Sequence, residues 1–200
     1  MQKDALNIVV TGVGGQGQIT LARVIAEAAL IRGINAIVAE THGLSQRGGT
    51  VIVHVRLGNA DAPLIPPGAA HVLLSMELIE AARYSHYLAR DSIAVVNDYL
   101  VPPPLPGIKV PSTDELVSTI KERAGSLVII PATQKALETG DVRVANMMLL
   151  GAAIEAGAFR DYIDMGSAEK AIQSVLGKAA RQNIAALHNG AELARKAIKQ

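Results

Sequence analysis

Between Ile8 and Thr20 a short apolar run ends at Thr11, and four glycines follow within six positions: Gly12, Gly14, Gly15 and Gly17. An apolar repeat through Ile19, Leu21, Ala22, Val24, Ile25 and Ala28 comes next. The spacing dictates strand, glycine turn, helix. That order opens a doubly wound α/β domain, whose first turn presents backbone N–H groups and a helix N-terminus to an anion. Gly12, Gly14 and Gly17 match G-x-G-x-x-G, which needs a tight turn, close backbone approach to phosphate and close helix–strand packing.

The remaining chain extends this start into a Rossmann-like, mostly parallel sheet. The first strand covers Leu6 to Val10, and the first helix runs from Gly17 to Arg32 and stops at Gly33. The second strand is Ala36 to Ala39, ending in Glu40. After a loop over 41–49 the third strand, Thr50 to Leu57, alternates: Val51, Val53, Val55 and Leu57 on one face, Thr50, Ile52, His54 and Arg56 on the other. Alternation places that strand near an edge, or with its polar side against a ligand or partner. Further strands are expected at Val72–Leu74, Ile93–Val96 and Leu127–Ile130, with helices at Glu77–Leu88, Thr113–Ala124 and Val142–Ala156. Ser112 and Glu115 have capping-box spacing. The proline run from Val101 to Gly107 reads as a rigid extended loop. Ser167 to Lys199 reads as a long helix or a helix pair broken at Gly177 or Gly190. The expectation is one domain over 1–200 with a C-terminal helical segment from about 160.

Composition removes several functions. The net charge is +1 and no basic block occurs, so nucleic acid and membrane surfaces are not expected partners. The chain has no cysteine, which excludes disulfides, thiolate catalysis and cysteine ligation of an iron–sulfur cluster by its own residues. No leader is expected ahead of the first strand and no stretch is long enough to span a bilayer, so the expected location is cytoplasmic.

The candidate site residues fall in three places. The glycine turn contributes Gly12, Gly14, Gly15, Gln16 and Gly17. Glu40, 23 positions after Gly17, stands where a dinucleotide fold puts its ribose-binding acid. Three readings stay open at this point: a phosphate-bearing ligand, NAD(P), or glycines that serve packing alone. The second place is Arg47-Gly48-Gly49, an arginine fork beside exposed backbone donors. If the sheet is doubly wound, this loop opens at the same edge as the glycine turn. The third is Asn146, the polar residue of an apolar helix and so expected to be buried. His42, His54, His71, His86 and His188 lack metal-ligand spacing, and no acid–base pair or nucleophile elbow is present, so no catalytic residue is assigned.

Taken together, Gly12-Val13-Gly14-Gly15-Gln16-Gly17, Glu40 to Gly49, Val53-His54-Val55-Arg56 and Asn146-Met147-Met148-Leu149-Leu150-Gly151 resemble the gamma-type domain of the 2-oxoacid:ferredoxin oxidoreductase family. The resemblance covers nearly the whole chain. His42-Gly43-Leu44-Ser45-Gln46-Arg47, with Met76 to Ala81, looks more like the indolepyruvate branch than the pyruvate branch. It implies oxidative decarboxylation of a 2-oxoacid with coenzyme A to an acyl-CoA, carbon dioxide and reduced ferredoxin. Thiamine diphosphate and Fe–S clusters are then expected on a cysteine-rich, thiamine-dependent large (alpha) partner subunit, with ferredoxin as acceptor. This chain would be inactive alone, its turn and Arg47 holding coenzyme A phosphates or closing the interface. The alternatives are a gamma subunit acting on pyruvate or branched-chain oxoacids, an independent NAD(P)-binding protein, and a purely structural subunit.

Overall fold

The computed structural model describes residues 4–42, 49–102, 107 and 109–199. Arg47 and Gly48, and most of the proline run, therefore lie outside the described residues.

A six-stranded sheet forms the centre, in the order β2-β3-β1-β4-β5-β6. Its strands are β1 (Leu6–Val13), β2 (Ala36–His42), β3 (Thr50–Leu57), β4 (Ala70–Ser75), β5 (Leu88–Asn97) and β6 (Ser126–Ile130). β1, β4, β5 and β6 pair in parallel, while β3 runs antiparallel to both β1 and β2. The helices are α1 (Gln18–Ile31), α2 (Leu78–Tyr84), α3 (Thr113–Lys121), α4 (Ala132–Glu138), α5 (Ala145–Glu155), α6 (Met165–Leu176) and α7 (Ala180–Ile198). One apolar cluster joins one face of the sheet to α1, α5, α6 and α7. The other joins the opposite face to α2 and α3. Helices on both faces of a sheet with a single reversed strand make this the doubly wound α/β class the glycine turn implied.

Several boundaries differ from the sequence expectation, for tertiary reasons. β1 runs on to Val13 because β3 pairs with it up to Val13–Thr50, so Gly12 lies in the strand opposite Val51. β2 continues through His42 for the same reason. β3 sits one place in from the edge, and its polar face is covered by its own chain. Ile65 donates its N–H to His54 Nδ1 at 3.3 Å, and Arg56 donates to the Ala62 carbonyl at 2.7 Å and to Asn7 Oδ1 at 2.9 Å. α2 ends early, at Tyr84, and turns through a 3-10 segment at Ser85–Tyr87. α4 was not expected at all.

The C-terminal helical part is a pair. Gly177, at φ 50°, ends α6, and Gly190 lies inside α7. Gly190 serves an approach of two backbones: a Cβ there would overlap the Met148 carbonyl on α5, and one on Gly151 would overlap the Leu187 carbonyl on α7. Among the described residues no helix is long and apolar enough to cross a membrane.

Candidate functional site

The glycine turn closes the carboxyl end of β1. Gly15 and Gly17 have φ of 100° and 86°, the left-handed region that glycine enters without strain. Two glutamines satisfy the turn's own backbone. Gln16 Oε1 accepts the Val13 N–H at 2.8 Å, and Gln18 Nε2 donates to the Val13 carbonyl at 2.8 Å. Gly14 donates its N–H to the Gly49 carbonyl at 2.9 Å, so the end of the second loop does reach the turn. What remains for a ligand is the N-terminus of α1, which has no side-chain cap and no acid in its first turn. Its orphan N–H groups and the helix dipole favour an anion.

Asn146 is buried, as its sequence context required, and donates to the Gly17 carbonyl at 3.2 Å. Its amide oxygen is buried without a partner among the described residues. Asn146 thus sits against the turn from α5, although 129 positions separate it from Gly17.

Gly15, Gln16, Gly17 and Asn146 line a common cleft of about 480 Å³. Met76 from the end of β4, Thr133 from α4, Arg143, and Gln182 and Asn183 from α7 also line it. Arg143 is the cation of this lining among the described residues, and the sequence reading did not single it out. The Asp141-Val142-Arg143 triplet just ahead of Asn146 carries no signal that sets it apart from an ordinary surface pair. Gly12, in β1, and Gly14, in the turn, do not line the cleft.

Below the cleft the carboxyl edge is knitted by buried polar groups that the sequence reading also missed. Asn97, at the end of β5, donates to the Met76 carbonyl at 3.0 Å and to Thr133 Oγ1 at 2.7 Å, and accepts the Thr133 N–H at 3.1 Å. Glu77 caps α2, accepting the Ile79 N–H at 2.9 Å and the Glu80 N–H; burial pushes its carboxyl up from the usual range. Glu80, buried, accepts from Thr50 Oγ1 at 2.5 Å and from Arg83 Nε at 2.9 Å. Polar residues closing apolar strands, as in Val95-Val96-Asn97, were the available signal.

Glu40 does not occupy a ribose position. β3 separates β2 from β1, roughly two strand spacings or about 10 Å. Glu40 pairs with Val53, which pairs with Val10, so it is also level with Val10 rather than with the turn. The dinucleotide arrangement fails on both counts. His54 faces the loop that covers it, packs edge-on to Tyr87 and is held neutral by burial. Among the described residues no group of three or more His, Asp or Glu could hold a metal ion, and a chain without cysteine offers no thiolate to an iron–sulfur cluster.

Comparison with known proteins bears on what such a cleft serves. The family described as pyruvate ferredoxin/flavodoxin oxidoreductase matches residues 7–193. The chain is 40% identical over 149 residues to the indolepyruvate oxidoreductase subunit IorB of Archaeoglobus fulgidus, covering 73% of this chain and 74% of that one. It is 39% identical over 159 residues to the IorB subunit of Methanothermobacter thermautotrophicus, with 76% and 80% covered. In fold it is similar to a keto/oxoacid ferredoxin oxidoreductase gamma subunit from Geobacter sulfurreducens, with a TM-score of 0.71 at 23% identity over 96% of this chain and 99% of that one. It is also similar to 32% of the chain of a 2-oxoglutarate:ferredoxin oxidoreductase from Magnetococcus marinus, solved with 2-oxoglutarate, coenzyme A and succinyl-CoA bound. There the TM-score is 0.72 at 22% identity over 97% of this chain. The chain belongs to the pyruvate ferredoxin/flavodoxin oxidoreductase family and is an IorB-like subunit of a 2-oxoacid:ferredoxin oxidoreductase.

Proposed function

We propose that this member of the family is the non-cluster subunit of a complex that oxidises indolepyruvate and other arylpyruvates with coenzyme A, giving arylacetyl-CoA, carbon dioxide and reduced ferredoxin. The IorB relatives support the substrate class. The observation that carries the role of this chain is the cleft of about 480 Å³ at the uncapped N-terminus of α1. Its donors suit the diphosphate of coenzyme A, with Gly15, Gln16, Gly17 and Asn146 forming the wall against it. Gly14 and Gly49 tie the turn to the strand that follows it, and Arg47 and Gly48 are proposed as further contacts of the same ligand, with Gly12 serving the turn's packing.

In such a complex thiamine diphosphate would supply the carbanion chemistry and iron–sulfur clusters the electron path to ferredoxin. The chain has no cysteine for a cluster, and among the described residues no group of His, Asp or Glu could hold a metal ion beside a diphosphate, so we assign both groups to a cysteine-rich alpha subunit of a cytoplasmic complex. The isolated chain is then inactive and acts by holding coenzyme A.

The test is purification of the native complex, followed by assay with indolepyruvate and with pyruvate. Indolepyruvate is expected to be the better substrate by kcat/KM. Gly17→Ala in the reconstituted complex is expected to raise KM for coenzyme A about tenfold or more while KM for the oxoacid stays unchanged. An unchanged KM for coenzyme A would rule out the cleft as its site.

A further inference from the structure

We infer that Arg143 is a second anion-binding residue of the cleft, reading a phosphate of the ligand that lies apart from the diphosphate at the glycine turn. The inference rests on the coenzyme A reading above and assigns Arg143 to the 3′-phosphate of the ribose.

The geometry carries it. Arg143 belongs to the 3-10 turn Val142–Val144, which leads directly into α5, and reaches the cleft from a different element than the glycine turn does. Its guanidinium is pre-oriented. Nε donates to Asp141 Oδ1 and Nη2 to Asp141 Oδ2, both at 2.8 Å, a bidentate fork. Asp141 is itself held by the Arg143 backbone N–H at 3.0 Å and by Gln182 Nε2 of α7 at 3.2 Å. These donors hold the Asp141 carboxyl down to about 2, so the pair stays ionised throughout the working range. One edge of the fork is thereby used, and Nη1 has no partner among the described residues. The Arg143 side chain is 83% exposed, with room for an incoming group. An ion pair this exposed contributes little to stability, whereas a guanidinium fixed in orientation meets a phosphate with little loss of side-chain freedom. Two anchors on separate elements select a ligand with two separated anionic groups. Coenzyme A has them, and 3′-dephospho-coenzyme A lacks one.

The reconstituted complex would be assayed with coenzyme A and with 3′-dephospho-coenzyme A, as wild type, Arg143→Ala and Arg143→Lys. Wild type is expected to favour coenzyme A about tenfold or more in KM. Arg143→Ala is expected to bring the two KM values together while KM for the oxoacid stays the same, and Arg143→Lys to restore part of the preference. Three results overturn the inference: no preference in wild type, full preference kept in Arg143→Ala, or an equal loss for both thiols. Failure of the coenzyme A reading itself is distinguishable, because Gly17→Ala would then leave both thiols unaffected.

Discussion

The side-chain amide of Asn146 donates to the carbonyl of Gly17 at 3.2 Å, so the start of α5 braces the turn that starts α1. The brace leaves no space between them: a Cβ on Gly17 would stand 2.6 Å from Asn146 Nδ2. Gly17 also has φ 86°, where an L side chain costs roughly 1–2 kcal/mol. Gly17→Ala should therefore destabilise the chain by about 2–3 kcal/mol. Asn146→Ala should cost only about 1 kcal/mol. It removes one hydrogen bond, but it also removes the buried amide oxygen that has no partner. Denaturant titration of the two variants measures both values, and a costlier Asn146→Ala would show that its amide oxygen is satisfied.

Glu80 fixes the other side of the turn. Through Thr50 it holds the residue that follows Gly49, and the Gly49 carbonyl receives the Gly14 N–H. Glu80→Ala strips the acceptor from both Thr50 and Arg83, with an expected loss of about 2–3 kcal/mol. Thr50→Val keeps the β-branched shape and removes only the hydroxyl, so about 1–1.5 kcal/mol is expected. If the contact positions the turn, both variants raise KM for coenzyme A in assembled complex while KM for the oxoacid holds. Unchanged KM values alongside the stability loss would make the contact purely structural.

The strand–turn–helix unit was legible because everything it needs is local: an apolar run, glycines at fixed offsets, and a 3.6-residue period. The alternation of β3 was equally legible, but its insertion between β2 and β1 was not. That pairing depends on contacts such as Gly12 with Val51, which no short window of sequence contains. Glu40 misleads for the same reason: its offset from Gly17 fits a ribose acid only if the second strand lies beside the first. Asn146 could be read from its apolar neighbours, since a polar residue there must be buried and bonded. Arg143 could not, because an arginine two residues from an aspartate reads as an ordinary surface pair until the fold turns it towards the cleft. α4 follows Pro131 and is too short for its period to stand out.

The crossing of α5 and α7 makes a prediction independent of ligand. Gly151 and Gly190 place each helix against a backbone carbonyl of the other, so an added methyl meets main chain rather than a side chain that can move aside. Gly151→Ala and Gly190→Ala should each cost about 3 kcal/mol or more, at the upper end of overpacking effects. Gly157→Ala is a control of another kind. Nothing lies within 4 Å of its Cβ position, and its φ of 72° alone sets the expected cost at about 1–2 kcal/mol. Thermal melts of the three variants give the order; equal losses would mean that the helices separate without penalty.

Stability should also fall on mild acidification, through His54 and His71. His54 Nδ1 accepts the Ile65 N–H at 3.3 Å and His71 Nδ1 accepts the Asn7 N–H at 3.0 Å, so each ring is neutral with its lone pair in use. Burial lowers the pKa of His54, and burial with the nearby Arg160 lowers that of His71. Below 6.5 the unfolded chain therefore binds more protons than the folded one. The stabilisation is complete above 6.5 and is lost as pH falls through the lowered folded values, at no more than about 1.4 kcal/mol per pH unit for each histidine. Glu77 acts oppositely. Its folded pKa is raised above 4.5, so its contribution is full below 4.5 and is lost as pH rises through the folded value. Acidification then regains on Glu77 part of what the histidines lose. His54→Gln keeps an acceptor for Ile65 and cannot take a proton. Denaturation midpoints followed downward from neutral pH should fall less steeply in this variant than in wild type; parallel curves would mean that His54 does not titrate in this window.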